Sequence, residues 1–286
     1  MSQRIISFRL AFVFLLFVTS LLVWMPTISY SQTEDLLTVR FLDVDQGDAI
    51  HIETPDGYEL LIDGGPTASV LRELSKGRPF ADKYIDMVVA THPDADHIGG
   101  LVDVLERYQV DVILDTGQYN DTPTYQAYKQ SVENENSQVI LARAGQIISL
   151  GASTTIKILS PAGDTTGWAS NNSSVILKVT YGEIDFMLTG DASDEIENYL
   201  VGTRGDELES EVLKLGHHGS KTSTSELFLD ATNSDFAIVS AGRDNRYGHP
   251  SQEVISRVEA RGIEILETAQ AGTVVFKTDG EMVWLE

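Results

Sequence analysis

Thr91-His92-Pro93-Asp94-Ala95-Asp96-His97-Ile98-Gly99-Gly100 is the stretch on which the reading of this chain turns. It follows Asp86–Ala90, an apolar segment with the length and composition of a buried strand, and precedes Ile98–Tyr108, whose apolar spacing predicts a helix. Four potential metal ligands, His92, Asp94, Asp96 and His97, are crowded into this one loop. Alternate positions 92, 94 and 96 of a loop can converge on one point, while His97 turns toward a second. Groups this close raise one another's cost of ionisation unless a cation neutralises them. A mixed imidazole and carboxylate set suits zinc, manganese or iron rather than magnesium or calcium. A helix cap at Asp96 with surface histidines would explain either histidine alone, but not the group.

Further along, the same kind of setting recurs. Asp191 ends an apolar strand in Leu188-Thr189-Gly190-Asp191-Ala192, where the plain alternative is an N-cap; His217 and His218 follow another in Leu215-Gly216-His217-His218-Gly219-Ser220; and Tyr247-Gly248-His249-Pro250 comes shortly after a third. Five of the six histidines thus fall at strand-end loops, where a sheet scaffold collects functional groups. His51 alternates with Ile50 and Ile52 and reads as a surface or packing residue.

Around these loops the chain is strand-rich. Strands are predicted over Leu37–Val44, Ala49–Glu53, Tyr58–Ile62, Val112–Leu114, Gln138–Leu141, Thr155–Leu159, Val175–Thr180, Ile184–Leu188, Val212–Leu215, Phe236–Val239, Ile263–Glu267, Thr273–Thr278 and Met282–Leu285, with Pro55-Asp56-Gly57 as a hairpin turn. Helices are predicted over Ser69–Lys76, Tyr125–Glu133, Ser193–Val201, Glu226–Ala231 and Gln252–Arg261, with Ser223 and Glu226 as a capping box. Helices interspersed irregularly among more numerous strands point to an α+β fold of two mixed sheets packed face to face, with helices outside. Residues 36–286 show no linker or repeat and read as a single domain.

Composition narrows the function. The chain has 286 residues, 43 of them acidic and 20 basic, with 6 His, no Cys and a formal net charge of −23. Without cysteine there is no disulfide framework, zinc finger, iron–sulfur cluster or thiol nucleophile, so any transition metal must sit on histidines and carboxylates. The acidity speaks against a broad basic nucleic-acid groove, so a polyanion must be gripped locally. Arg4 and Arg9 precede the apolar run Leu10–Met25, and small residues Ser29 and Ser31 follow, so residues 1–31 read as a signal peptide cleaved after Ser31 or as an uncleaved membrane anchor. Either places the domain outside the cytoplasm, secreted or periplasmic, with attachment possible through residues 10–25.

At Phe41-Leu42-Asp43-Val44-Asp45-Gln46-Gly47-Asp48-Ala49, Leu61-Ile62-Asp63-Gly64-Gly65, the His92–Gly100 loop, Asn171-Asn172-Ser173-Ser174, Thr189-Gly190-Asp191-Ala192, His217-His218-Gly219-Ser220 and Tyr247-Gly248-His249-Pro250, the chain resembles the metallo-β-lactamase superfamily, and within it the competence-type (ComEC-like) hydrolase domain. The resemblance covers residues 37–286. It implies a four-layer αββα sandwich with one or two divalent metal ions, zinc or manganese, at a sheet rim. His92 and Asp94 would serve one metal, Asp96 and His97 the other, and Asp191 would bridge them; His217, His218 and His249 are unranked candidates for the remaining positions. Asp63 would hold the histidine loop from behind, or be a simple turn residue. Three departures stand out: Asp94 occupies the place of a second histidine, Asp45 that of a common glycine, and no histidine lies between His97 and His217, with Asn171 or Asn172 roughly in its stead. The first site is therefore richer in oxygen.

These features favour a metal-dependent phosphodiesterase or nuclease acting on DNA or nucleotides through a metal-activated water. Asp96 or Asp191 would take the water's proton and His218 or His249 protonate the leaving oxygen. Lys221 and Arg246 are local cations for a phosphate, and Asn172, Ser220 and Asn245 are further substrate contacts. Rival readings are a hydrolase of a lactone or other carbon-centred ester or amide, a non-catalytic metal-bearing binding module, and an accessory of a DNA-uptake machine whose protein partners the sequence does not name.

Overall fold

The computed structural model describes residues 35–76 and 82–286; the expected signal peptide or anchor over residues 1–31 lies outside them. Among the described residues no helix is long and apolar enough to cross a membrane.

The first sheet runs, edge to edge, β15 (Val283–Leu285), β14 (Val274–Thr278), β1 (Leu37–Phe41), β2 (Ile50–Glu53), β3 (Glu59–Ile62), β4 (Tyr84–Ala90), β5 (Gln109–Asp115) and β6 (Gln138–Leu141). The second runs β13 (Glu264–Glu267), β12 (Phe236–Val239), β11 (Val212–Lys214), β10 (Ile184–Leu188), β9 (Ile176–Tyr181), β8 (Thr154–Ser160) and β7 (Ile147–Leu150). Both are mixed. β3 to β6 are mutually parallel, as are β10 to β13, while the other neighbours pair antiparallel.

The period of two along each strand assembles the layers. Leu60 and Ile62 of β3, Met87 and Val89 of β4, and Leu114 of β5 face the second sheet and meet Ile158, Leu177, Phe186 and Ile238 there. The intervening Leu61, Val88 and Ile113 face outward, onto Ile98, Leu101, Val104 and Leu105 of α2 (Ala95–Leu105) and Tyr128 and Val132 of α3 (Pro123–Glu135). The second sheet repeats the device, with Met187, Leu213, Ala237 and Val239 against Leu200, Phe228, Leu229, Val254 and Val258 of α4 (Asp194–Arg204), α5 (Glu226–Thr232) and α6 (Gln252–Glu259). Because both faces are covered, the central strands read as unbroken apolar runs. The helix α1 (Ser69–Leu74) precedes β4, and a single turn, α7 (Thr268–Ala271), precedes β14. The architecture is the αββα sandwich expected from the sequence.

Two elements, β7 and α7, had no counterpart in the sequence reading, β7 because its side chains alternate between exposed and covered with little apolar contrast. Two local expectations are corrected. α5 is capped by Ser225, whose hydroxyl accepts from Phe228 N at 3.2 Å; Ser223 instead donates to Gly216 O at 2.7 Å, inside the histidine turn. α2 begins at Ala95 rather than Ile98, with Asp94 at the N-cap, so Asp96 and His97 project from the first helical turn and not from an extended loop. His51 is buried as a packing residue, its ring between Arg40 and Glu59.

Candidate metal centre

Strands β3, β4, β10 and β11 end at one rim of the sandwich, and each releases a functional side chain there: Asp63, His92, Asp191, and the pair His217 and His218. Tight backbone packing sets the positions. α2 crosses the Gly64-Gly65 loop so closely that a Cβ on Gly100 would stand 2.1 Å from Gly64 O. On the other side Gly47, at φ 126°, lets the loop after β1 lie against Asp96 O, 2.1 Å from where a Cβ would be. Asp63, His217 and His218 hold left-handed backbone at φ 57°, 48° and 56°, a conformation that costs non-glycine residues energy and persists where surrounding structure enforces it.

Hydrogen bonds behind the histidines decide which ring nitrogen carries the proton. The carboxylate of Asp63 accepts from Thr91 N at 2.8 Å, Thr91 Oγ1 at 2.6 Å and His97 Nδ1 at 2.7 Å. A carboxylate only accepts, so Nδ1 of His97 is the protonated nitrogen. Thr91 has given its hydroxyl hydrogen to Asp63, so His92 Nδ1, 3.1 Å from Thr91 Oγ1, must donate to it. His218 Nδ1 donates to Ser240 O at 2.8 Å. In their neutral forms all three rings therefore present an Nε2 lone pair.

Those lone pairs converge. His97 Nε2 lies 3.3 Å from Asp191 Oδ1, His218 Nε2 3.4 Å from Asp191 Oδ2 and 3.4 Å from Asp96 Oδ2, and His92 Nε2 3.9 Å from Asp191 Oδ2 and 3.7 Å from Asp94 Oδ2. The three Nε2 atoms and Asp191 Oδ1 are buried and make no hydrogen bond. Buried polar atoms are nearly always satisfied, so four orphans facing one another fit a bound cation. His92, His97 and Asp191 form one group with ligand atoms within 4.8 Å of one another, and Asp96, His97 and His218 form a second. The residues present thus suit one or two divalent ions. Asp94 stands at the edge, with Oδ1 accepting from Ser170 Oγ at 2.6 Å.

Charges in the cluster are strongly coupled. Burial is the strongest single influence on His97 and His218 and opposes their protonation, but the surrounding carboxylates together, Asp191 with Asp63 at His97 and Asp191 with Asp48 and Asp96 at His218, outweigh it and lift both well above the ordinary histidine range. His92 lies below that range, because burial and the neighbouring His97 prevail. Burial would raise Asp96 and Asp191, yet the surrounding imidazoles hold both well down.

Two residues escaped sequence reasoning. Lys214, buried at the end of β11, places Nζ 2.5 Å from Asp48 Oδ2, 3.1 Å from Gly190 O and 3.8 Å from Asp191 Oδ1. Asp48 is as buried, its other oxygen 3.4 Å from His218 Nδ1, and Lys214 with His218 keeps it below the usual carboxylate range against its burial. A lysine in a buried strand was the available signal.

The remaining candidates lie farther out. His217 is partly exposed, with Nε2 3.8 Å from Asp191 Oδ2 and Asn171 Nδ2 facing both ring nitrogens at 3.2 and 3.4 Å. His249 packs its ring 5.5 Å from that of His217, and burial lowers the pKa of both. Asn172 turns away to Glu195 and Ser193. Ser220 bonds Thr222, Asn245 is consumed within its own loop, Lys221 is exposed, and the Arg246 guanidinium lies over the Tyr247 ring.

A sandwich with a histidine and aspartate cluster at its rim defines a metallohydrolase type of protein. The chain belongs to the metallo-beta-lactamase superfamily, whose family model matches residues 42–243. It is similar to ComE operon protein 3 of Bacillus subtilis (strain 168), 30% identical over 256 residues, which are 84% of this chain and 33% of that protein. It is also similar to Competence protein ComA of Neisseria gonorrhoeae, 30% identical over 244 residues, 85% of this chain and 32% of that protein. The chain spans about a third of the length of these curated relatives. Among solved structures, the metallo-beta-lactamase fold protein YhfI from Bacillus subtilis shares the fold with a TM-score of 0.57 at 15% identity, over 85% of this chain and 100% of that one.

Proposed function

We propose that the chain is a metal-dependent phosphodiesterase acting on DNA or nucleotides outside the cytoplasm. The observation that carries the reading is the set of three histidines whose Nδ1 protons are tied back, leaving unpartnered Nε2 atoms around Asp191. His92, His97 and Asp191 would hold one divalent ion, with Asp94 at its margin, and Asp96 and His218, which group with His97, would offer the position for a second. A divalent ion bound there supplies an acidified water and a Lewis acid for a phosphoryl oxygen. Similarity to competence proteins, together with an oxygen-rich donor set, supports a phosphodiester over a lactone.

The chain's own residues do the rest. Asp94 and Asp96 are both partly exposed, but Asp94 Oδ1 is engaged by Ser170, so Asp96 Oδ2 is the carboxylate oxygen proposed to take a proton from water and release it to solvent. His218 is fully enclosed and serves to orient; His249, half-buried and with its Nδ1 unpartnered, is the residue proposed to protonate a leaving oxygen, its lowered pKa making the imidazolium a ready donor once formed. Lys214 neutralises Asp48, so that Asp191 and Asp96 remain the carboxylates available at the centre.

The test is metal content of protein purified without chelator, followed by turnover of bis(p-nitrophenyl) phosphate, single-stranded DNA and a lactone panel with added manganese or zinc. Phosphodiester turnover abolished by chelator and by Asp96→Ala is expected. Absence of phosphodiester turnover with either metal overturns the reading.

A further inference from the structure

We infer that the Tyr247-Gly248-His249-Pro250 loop is a nucleobase-stacking subsite, with the Tyr247 ring as the platform for a base adjoining the scissile phosphate. The inference rests on the phosphodiester reading of the metal centre. Tyr247 is 53% exposed, and Tyr119 and Tyr199 are exposed too, but Tyr247 alone of these lies on a loop that carries a histidine of the cluster. It is held there by design of the loop: Asn245 donates from Nδ2 to Gly242 O at 2.8 Å and His249 O at 2.6 Å, and accepts at Oδ1 from Tyr247 N at 3.2 Å and His249 N at 3.0 Å. Four bonds from one side chain fix where the ring stands.

The ring also connects to the centre. Tyr247 stacks on His249 with centroids 5.9 Å apart and planes 14° from parallel, His249 meets His217 at 5.5 Å, and His217 Nε2 is 3.8 Å from Asp191 Oδ2. A column of rings therefore runs from the carboxylate centre to solvent. At its outer end the exposed Arg246 guanidinium sits 5.0 Å from the Tyr247 centroid and donates to the phenol oxygen at 2.8 Å. A base entering there exchanges one planar neighbour of the ring for another, and the guanidinium stays close to the flanking phosphate. Such a platform answers the difficulty posed by a net charge of −23: stacking is indifferent to that charge and to base identity, whereas counterion release needs clustered cations and here acids outnumber Lys and Arg 43 to 20.

The experiment compares, by fluorescence anisotropy read before appreciable cleavage, a short single-stranded oligonucleotide with an abasic one of the same length, which keeps every phosphate. Wild type is expected to bind the base-bearing strand roughly 5- to 150-fold more tightly per stacked base, Tyr247→Ala to lose that advantage, and Tyr247→Phe to keep it. Tyr247→Leu, which fills the space without a π-face, gives the same reading should the alanine variant fail to fold. Retention of the full advantage by a folded Tyr247→Ala or Tyr247→Leu variant overturns the inference. Binding is read without turnover, so a failure of phosphodiester hydrolysis strikes the proposed activity and leaves this measurement standing.

Discussion

Asp63 shows how much of the centre depends on a residue that touches no open position. It accepts three hydrogen bonds and sets the tautomer of His97 directly and that of His92 through Thr91. Asparagine offers one acceptor oxygen in place of two, so Asp63→Asn is expected to weaken metal affinity about 10- to 100-fold while the fold persists, as read by chelator competition. Wild-type affinity in the variant would contradict the tautomer argument. Lys214 makes a second case. Its removal in Lys214→Met leaves Asp48 buried without its counter-charge and is expected to cost about 3–5 kcal/mol in denaturant unfolding. At this scale the sequence was informative but incomplete. The crowding of His92, Asp94, Asp96 and His97 was visible because the ligands are neighbours in the chain. Asp48 and Lys214 were not, because 166 residues separate the partners of that pair and only the closing of two sheets brings them together. His217 and His218 are adjacent in sequence, and only the left-handed backbone at both reveals that one points inward and the other outward.

Elements transmit their placement to the centre. α2 meets the Gly64-Gly65 loop backbone to backbone, so Gly100→Ala must push the helix away from Gly64 O and carry Asp96 and His97 with it. A loss of about 1–3 kcal/mol in unfolding free energy, with weakened metal binding, is expected. α4 contributes differently. Glu197, fully buried, accepts from Thr224 N and Ser225 N at 2.7 Å each and so anchors the segment after the histidine turn. Burial pushes its pKa up from 4.5 to about 7, against those two bonds. The native state thus holds this proton more tightly than the unfolded chain. The stability it contributes is complete below about pH 4.5 and is lost as pH rises toward 7, an effect of about 3 kcal/mol at most. Urea unfolding of wild type between pH 5 and pH 7.5 should show that decline, and Glu197→Gln, which carries no proton, should lack this part of it. Element boundaries were legible where both faces of a strand are apolar, as in Phe236–Val239, whose Phe236 and Ile238 pack in one core and Ala237 and Val239 in another. They failed at the start of α2, where the ligand residues themselves form the first turn and carry no apolar signal.

Over the whole molecule, the proposed action on DNA makes net charge the quantity that decides how a polymeric substrate arrives. With −23 charges and no basic groove in its sequence, the protein repels DNA at long range, and only the short-range cations and rings near the centre can offset this. Most nucleic-acid-binding proteins lose affinity as salt rises, because their contacts release counterions. Here the long-range term has the opposite sign. Raising monovalent salt from roughly 10 mM to 150 mM shortens the screening length from about 30 Å to about 8 Å, which weakens repulsion across the surface more than contacts within the centre. The ratio kcat/KM for long single-stranded DNA is therefore expected to rise over that range, while that for a small phosphodiester changes little, since a small ligand samples only the local field. Steady-state rates on both substrates across the same salt series check this. A fall for the long strand, steep in the logarithm of salt, would mean that the folded surface gathers its few lysines and arginines into a path that their number does not suggest.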